Sequence, residues 1–152
     1  MRVSLDANIL VYSLQVEERR HGIARDIVAR AIGADCVQTL QSLAECFNAL
    51  VRKRGFAPSL AMAQVERLKS RFMVEAAMPE DFDRAMWATR HHHFAFWDAM
   101  LWATASRAGC RVLLSEAGHD GRKLDGMTFL SPFNAANAPL IELALPPLGA
   151  DP

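Results

Sequence analysis

The sequence predicts one α/β domain built on a parallel sheet. Short β-prone runs alternate with longer segments of helical periodicity, so that helices connect most of the strands. A chain of 152 residues has the ordinary size of one domain, and it shows no internal repeat. Because the pattern weakens late in the chain, we expect a domain over residues 1–133 and a partly loose tail over residues 134–152, in which residues 141–145 can dock.

The first half of the chain gives two strands and three helices. Apolar residues recur every three or four positions in the helical segments, and Gly33 and Gly55 end two of them. The strands are short runs of β-prone residues. In chain order we expect a strand at 2–5, helices at 9–14 and 23–32, a strand at 36–40 and a helix at 41–54.

The second half continues the alternation. Pro58 and Pro79 are typical first residues of helices, and the Asp125-Gly126 pair indicates a tight turn. The run at 94–105 is the most apolar stretch of its length in the chain, and we expect it to be buried. The elements expected here are helices from 58, from 79 and from 94 to near Gly109, with strands at 72–74, 111–114 and 127–130.

Apolar side chains at helical spacing should form the inner faces of these helices. Such a stripe packs a surface helix against the rest of the fold. We therefore expect the following residues to face the core: Ile23, Ile27, Val28, Ala31, Ile32, Leu43, Phe47, Leu50, Val51, Met62, Val65, Leu68, Phe72, Phe82, Met86 and Trp87.

Charge and cysteine usage limit the classes of partner. Acidic and basic residues balance to a formal net charge of zero, so a polyanion would have to bind through a local basic patch. Three cysteines, far apart in apolar surroundings, fit reduced thiols in a cytosolic protein. No export signal is evident, and no apolar run approaches the roughly 18 residues of a membrane span. We expect a cytoplasmic protein that makes no membrane contact.

Asp6 lies where the first predicted strand ends and a helix begins. In open α/β sheets, ligands bind in the crevice outside the carboxyl ends of the strands. Asp6 or Asn8 can equally cap the following helix, because both accept hydrogen bonds from its unpaired amide groups. Both interpretations stand on this stretch alone.

Three further acids lie among uncharged neighbours. Glu45 falls on a polar helical stripe, which is usually solvated. Asp98 sits within the most apolar run, with no Lys or Arg near it in the sequence, so it either caps its helix or needs a cation if it is buried. Glu116 follows a predicted strand, as Asp6 does. Clustered carboxylates of this kind favour Mg²⁺ or Mn²⁺ over zinc.

Other polar residues are explained without a ligand. Three consecutive histidines, at 91–93, cannot converge on one ion, because neighbouring helical residues point in different directions. They suit a solvated helix end. Asp120 and Asp125 each precede a glycine and are turn residues first, although Asp120 can also serve as an outer ligand.

Four motifs together resemble those of PIN-domain ribonucleases, and most closely the VapC-type toxins of bacterial toxin–antitoxin pairs. The resemblance runs from Arg2 to Phe133. The motifs are Leu5-Asp6-Ala7-Asn8-Ile9-Leu10, Ser42-Leu43-Ala44-Glu45, Trp97-Asp98-Ala99-Met100-Leu101-Trp102-Ala103-Thr104-Ala105 and Val112-Leu113-Leu114-Ser115-Glu116. Each is weak alone, and four in this order are fairly specific.

The resemblance implies a three-layer α/β/α sandwich whose parallel strands group Asp6, Glu45 and Asp98 around Mg²⁺ or Mn²⁺. Three like charges crowded together should have raised pKa values. Glu116 matches the fourth acidic motif. Similar proteins often have Ser-Glu-Asp there, whereas this chain has an alanine after Glu116, which puts a second metal site in doubt.

The implied activity is endonucleolytic hydrolysis of RNA by a toxin, with a small antitoxin blocking the site and a homodimer as the common assembly. Among basic runs, Arg52-Lys53-Arg54 is the best candidate for RNA contact and Arg122-Lys123 the next, although either run alone is more often solvated surface. One alternative is a phosphatase with Asp6 as the nucleophile, although such enzymes have a second acid where this chain has Asn8. The other is a non-catalytic binding module.

Overall fold

Six strands and seven helices make up residues 1–150, the part of the chain that the computed structural model describes. The strands are β1 (Val3–Leu5), β2 (Val37–Thr39), β3 (Met73–Glu75), β4 (Val112–Leu114), β5 (Lys123–Leu124) and β6 (Met127–Leu130). The helices are α1 (Ala7–Leu14), α2 (His21–Ile32), α3 (Leu40–Arg52), α4 (Pro58–Lys69), α5 (Pro79–His92), α6 (Phe96–Arg107) and α7 (Ala138–Ala144). Short 3₁₀ turns occupy Ala117–His119 and Ala135–Asn137.

The predicted parallel sheet is confirmed. Strands β1, β4 and β6 pair in parallel, and β2 pairs in parallel with β3. A parallel bridge between Val3 and Cys36 connects the two groups. The short edge strand β5 was not expected, and it pairs antiparallel with β6. Asp125 and Gly126 both have positive φ angles, 49° and 83°, which matches the hairpin turn that their sequence predicts.

Both faces of the sheet are buried, which confirms the α/β sandwich. Along β4, Val112 and Leu114 belong to one apolar cluster with β1, α1, α2 and α3, while Leu113 belongs to a second cluster with α6. Alternate residues of a strand point to opposite faces, so these two clusters lie on either side of the sheet. Helices therefore cover the sheet from both sides, and the carboxyl ends of β1 and β4 open at one edge.

Several apolar side chains that we expected in the core are exposed. The helices bury only the side that touches the fold, as at Leu43 and Leu50 of α3, and apolar residues beyond that stripe remain in solvent. Trp97 is 63% exposed although its apolar surroundings predicted burial. The other expected core residues found exposed are Ile23, Ile32, Phe47, Met62, Phe82, Met86 and Trp87.

The part of the tail that was expected to dock does so. Ile141 and Leu145 are buried in the same cluster as β1. Arg30 Nε donates to the Leu145 carbonyl at 3.1 Å, which ties α7 to α2.

The three cysteines are buried and unpaired among the described residues. Burial raises the pKa of Cys36, Cys46 and Cys110 to about 12 in each case, which keeps the thiols protonated and unreactive. Within residues 1–150, no helix has both the length and the apolar character needed to cross a bilayer.

Candidate active site

Asp6 is both a helix cap and an acid at the end of a strand. It is the N-cap of α1, and its Oδ1 accepts a hydrogen bond from the Ala7 amide at 2.7 Å. The β1–β4 register pairs Leu5 with Leu114, so the next residues along, Asp6 and Ser115, are neighbours. Ser115 Oγ donates to Asp6 Oδ2 at 2.9 Å. The two interpretations of Asp6 left open by the sequence are therefore compatible.

The pKa of the Asp6 carboxyl depends on its burial and on two nearby acids. Burial raises its pKa from 3.8 to about 6, against the lowering effect of the hydrogen bonds from Ser115 and Ala7. The negative charges of Asp98 and Glu45 raise it further. Asp98 and Glu45 therefore each lie within electrostatic reach of Asp6.

Asp98 is not a helix cap. Ala95 is the N-cap of α6 and makes no capping bond, and Asp98 lies in the first turn after it. The side chain is 44% exposed, so the expected choice between capping and burial was wrong. The helix buries its later residues, from Ala99 to Ala105, and its first turn faces an open cleft. There Asp98 Oδ2 lies 2.9 Å from Nε2 of His119, which contributes the partner that the sequence did not indicate.

Glu45 is half-buried and is linked to the start of α6. Gln41 Nε2 donates to Glu45 Oε1 and to the carbonyl oxygen of Trp97, at 2.9 Å in both cases. Thr39 at the end of β2 caps α3 by accepting from the Ser42 amide at 3.1 Å, which fixes the first turn of the helix that carries Glu45. The Gln41 end of the polar stripe on α3 therefore contacts the first turn of α6, in which Asp98 directly follows Trp97.

Glu116 is held by three side chains from the first part of the chain. Tyr12 donates its hydroxyl hydrogen to Glu116 Oε2 at 2.8 Å, and Asn8 Nδ2 lies 3.3 Å from the same oxygen. Arg20 forms an ion pair with Oε1, and its guanidinium lies 4.2 Å from the centre of the Tyr12 ring. The fourth acid is therefore neutralised within the chain.

One cleft of about 430 Å³ collects most of these groups. Glu45 lies beyond its lining, and Gln41 connects it to Trp97, the residue before Asp98. Among residues 1–150, no three Asp, Glu, His or Cys side chains converge closely enough to hold a metal ion together in this arrangement. The donor set nevertheless fits a hard cation, because the acids contribute only oxygens and one carboxylate oxygen each of Asp98 and Glu45 accepts no hydrogen bond from the described residues. The lining residues are Asp6, Asn8, Asp98, Ser115, Glu116, Gly118 and His119.

Comparison with known families decides what this arrangement belongs to. The family model of the PIN domain matches residues 3–122, which is most of the chain and includes all four acids. The chain belongs to the PIN-domain family. No curated protein sequence matches it.

Solved structures agree on the fold of this PIN domain. VapC20 of Mycobacterium tuberculosis, a sarcin–ricin loop cleaving toxin, is 23% identical with a TM-score of 0.64, over 76% of this chain and 90% of that one. A toxin–antitoxin complex from Klebsiella pneumoniae is 18% identical with a TM-score of 0.64, over 86% and 97%. DNA-bound VapBC from Salmonella typhimurium is 15% identical with a TM-score of 0.65, over 87% and 98%. At these identities the likeness concerns the fold.

Asp120 does not take the place of a missing acid in this PIN domain. Its Oδ1 accepts from the Ser131 amide at 2.9 Å and from Asn137 Nδ2 at 2.7 Å, and its Oδ2 accepts from Asn134 Nδ2 at 2.8 Å. Burial opposes ionisation, but these hydrogen bonds outweigh it and lower the pKa of the carboxyl. Asp120 therefore anchors the segment that follows β6. Nothing in these contacts supports the expected role of Asp120 as an outer metal ligand.

The basic runs are divided between structure and surface. Arg54 Nη1 pairs with Glu18 at 3.3 Å and is partly buried, whereas Arg52 and Lys53 of the favoured run are exposed. Arg122 donates from Nη2 to the His92 carbonyl at 2.7 Å and lies 4.0 Å above the Phe94 ring. The histidines at 91–93 form the expected helix end, with 91 and 93 exposed.

Sequence reasoning missed the residues that hold the acids, namely His119, Arg20 and Tyr12. Their positions in the sequence carried little indication of this role. Tyr12 follows Asn8 by one helical turn on α1, which places both on the face that meets Glu116. His119 and Arg20 lie in short turns. Such turns are too short for a repeating pattern that would predict where their side chains point.

Proposed function

We propose that this PIN domain is a metal-dependent endoribonuclease that hydrolyses RNA phosphodiesters and acts as the toxin of a toxin–antitoxin pair. The observation that carries the proposal is the single cleft that Asp6, Asp98 and Glu116 line together. Burial, and after it the charges of Asp98 and Glu45, raises the pKa of Asp6 there. Acids grouped in a cleft with a perturbed pKa are typical of sites that bind a cation.

Asp6, Glu45 and Asp98 would hold Mg²⁺ or Mn²⁺, with Glu116 as a further acid if its pair with Arg20 opens. Such an ion, when bound, supplies Lewis acidity and a bound water of lowered pKa. The chain positions the acids for it. Ser115 and the Ala7 amide fix the plane of the Asp6 carboxylate, and Gln41 draws Glu45 towards the first turn of α6.

RNA contact would come from exposed cations near these acids. The formal net charge is zero, so binding depends on a local patch. Arg52 and Lys53 are exposed at the end of α3, the helix that carries Glu45. Arg20 also belongs to the proposed patch, because its present partner, Glu116, lines the cleft and a phosphate offers the same charge as that carboxylate.

The proposed partners are a cognate antitoxin that blocks the cleft and a second copy of this chain. Support comes from structural neighbours described as a toxin–antitoxin complex and as VapBC. The exposed apolar residues on α5 and α6, among them Trp87 and Trp97, leave surface for such contacts. We place the reaction in the cytoplasm, because its proposed substrate is cellular RNA.

A covalent role for Asp6 as a phosphatase nucleophile has less support. Both Asp6 oxygens already accept hydrogen bonds, and Asn8, where such phosphatases have their second acid, faces Glu116 instead. A phosphorylated Asp6 trapped from a phosphoester substrate would favour that alternative.

The test is cleavage of an end-labelled pool of single-stranded RNA by purified, antitoxin-free protein in Mg²⁺, in Mn²⁺ and in EDTA. We expect cleavage with either ion, none in EDTA, and none for Asp6→Asn with either ion, because neutralising the phosphate requires the cation. Asp125→Asn is the matched control, since Asp125 is a turn acid paired with Arg84. Undiminished cleavage in EDTA would exclude the metal-dependent reaction, and ion binding without cleavage would favour the binding module.

A further inference from the structure

His119 lines the same cleft as Asp6 and Asp98. It ends the 3₁₀ turn Ala117–His119 that follows β4 and Glu116. Its Nε2 lies 2.9 Å from Asp98 Oδ2, and only 17% of its side chain is exposed. An imidazole this close to a carboxylate of the proposed metal site has a direct influence on where that carboxylate points.

The imidazole ring packs against two buried aromatic side chains. The ring centre of Phe94 lies 4.5 Å from that of His119, with an interplanar angle of 32°. Phe129 on β6 lies 5.7 Å away at 62°. The two phenylalanine rings also contact each other, at 5.2 Å between centres, and both are at most 3% exposed. The His119 ring therefore belongs to a packed aromatic cluster of three rings.

The surroundings of Nδ1, the other ring nitrogen of His119, indicate which of the two nitrogens carries the hydrogen. Arg122 Nη1 lies 3.5 Å from His119 Nδ1, while its Nη2 donates to the His92 carbonyl and its guanidinium stacks on Phe94. A guanidinium has donors only. This contact favours the tautomer in which Nδ1 accepts from Arg122 and the hydrogen on Nε2 is donated to Asp98.

The geometry points to His119 as a positioning residue for the metal-dependent reaction. Its Nε2–H holds one oxygen of Asp98 and leaves the other for a cation in the cleft, and Arg122 keeps the ring in the required tautomer. Outer groups that fix a ligand in this way commonly change metal affinity or activity by about 10- to 100-fold when they are removed. This inference rests on the proposed function, because it assigns His119 a role at that same site.

The segment after β4 contributes two ionisable side chains to the cleft. His119 is the first ionisable residue after Glu116 to line it. The same segment therefore contributes an acid and a hydrogen-bond partner of Asp98.

Two substitutions separate positioning from packing, because each keeps one property of the ring. Glutamine at 119 places an amide N–H at about the reach of Nε2 but loses the aromatic contacts with Phe94 and Phe129. Phenylalanine keeps those aromatic contacts but has no hydrogen-bond donor. The measurements are Mn²⁺ affinity of the antitoxin-free protein by electron paramagnetic resonance, RNA cleavage rate and thermal melting.

If His119 is a positioning residue, His119→Gln should keep Mn²⁺ affinity and cleavage rate within about threefold of wild type. His119→Phe should lose about tenfold or more in both quantities. Its melting temperature should nevertheless be at least as high as that of His119→Gln. The opposite order, with His119→Phe the more active, would overturn the inference and leave the nuclease proposal intact. A wild-type protein that neither binds Mn²⁺ nor cleaves RNA would overturn both.

A fourth measurement does not depend on the nuclease proposal. Nitrogen-15 chemical shifts of the His119 imidazole in metal-free protein distinguish the protonated ring nitrogen from the bare one. We expect the hydrogen on Nε2 in wild type. Finding it on Nδ1 would remove the donor to Asp98 and overturn the inference, whatever the protein does to RNA.

Discussion

Asp6 and Asp98 lie at the same cleft but are held in opposite ways. Asp6 is fixed by a backbone amide and by Ser115, which the parallel register of β1 and β4 places beside it. Asp98 is almost half exposed and is held by His119, 21 residues later in the chain. One acid is positioned by the sheet, and the other by a side chain from an irregular segment.

The difference also concerns stability. Burial of Asp6 disfavours its ionised form, so at neutral pH this carboxylate opposes folding of the metal-free protein. Partly exposed ion pairs such as Arg20 with Glu116 contribute only about 0–1 kcal/mol. The acid set by the sheet should therefore respond strongly to substitution and pH, whereas the acids held by side chains should respond weakly.

The largest effect on stability is expected from Asp6→Asn. The folded-state pKa of about 6 exceeds the ordinary 3.8, so the folded protein binds more protons between these values and stability falls as pH rises through them. A shift of two units corresponds to about 3 kcal/mol, and losing one hydrogen bond offsets about 1 kcal/mol. In EDTA at pH 7.5 the variant should be more stable by about 2 kcal/mol.

Urea unfolding of Asp6→Asn and wild type between pH 4 and pH 8 checks this prediction, with Asp125→Asn as a control. The advantage of Asp6→Asn should be lost as pH falls towards 4, where wild-type Asp6 also becomes neutral. An Asp6→Asn protein that is less stable than wild type at pH 7.5 would show that capping of α1 outweighs the burial of charge.

Ser115→Ala should have a smaller effect of opposite sign. It removes the hydroxyl that donates to Asp6 Oδ2, and a hydrogen bond to a charged group contributes about 1.5 kcal/mol or more. The variant should lose about that much stability at pH 7.5 and less at pH 4, because the Asp6 pKa rises further. Ser59→Ala, at an exposed position of α4, is the control. A loss independent of pH would mean that Ser115 acts through packing alone.

The pair of Arg20 with Glu116 should contribute least. A double-mutant cycle with Arg20→Gln and Glu116→Gln should give a coupling below about 1 kcal/mol that vanishes in high salt, because both side chains are partly exposed. The measurement is urea unfolding of the four proteins at two salt concentrations. A coupling above about 2 kcal/mol would place Glu116 among the rigidly held acids.

The proposed RNA patch should leave stability unchanged and alter only binding. Arg52→Ala with Lys53→Ala should flatten the salt dependence of RNA affinity by a slope of about 1.4, since each phosphate contact on a single strand contributes about 0.7. Arg67→Ala with Arg71→Ala, on exposed residues of and after α4, is the control. If the control flattens the slope and the first pair does not, the patch lies elsewhere.

The features that the backbone determines could be predicted, because they depend on residues close together in the sequence. The parallel strands, the turn at Asp125-Gly126 and the position of Asp6 at the end of β1 all follow from periodicity and turn chemistry. The exposure of Trp97 and Phe47 was not predictable in this way, because periodicity identifies an apolar stripe but not how much of it a neighbouring element covers.

The side-chain partners of the acids depend on contacts between distant parts of the chain. His119 reaches Asp98 only because a 3₁₀ turn follows β4, and Arg20 reaches Glu116 only because the segment before α2 passes over Tyr12. Asp120 precedes a glycine like an ordinary turn acid, yet it binds Ser131, Asn134 and Asn137. Such pairings cannot be predicted from the residues on either side of each partner.

Binding of Mn²⁺ to the antitoxin-free protein tests the central claim most directly, because it asks whether Asp6 and its neighbouring acids form one cation site. Titration followed by electron paramagnetic resonance should show saturable binding in wild type and in Asp125→Asn. Asp6→Asn should weaken that binding by at least about tenfold, as loss of a group essential to a site does. Equal Mn²⁺ affinity in wild type and Asp6→Asn would contradict the account.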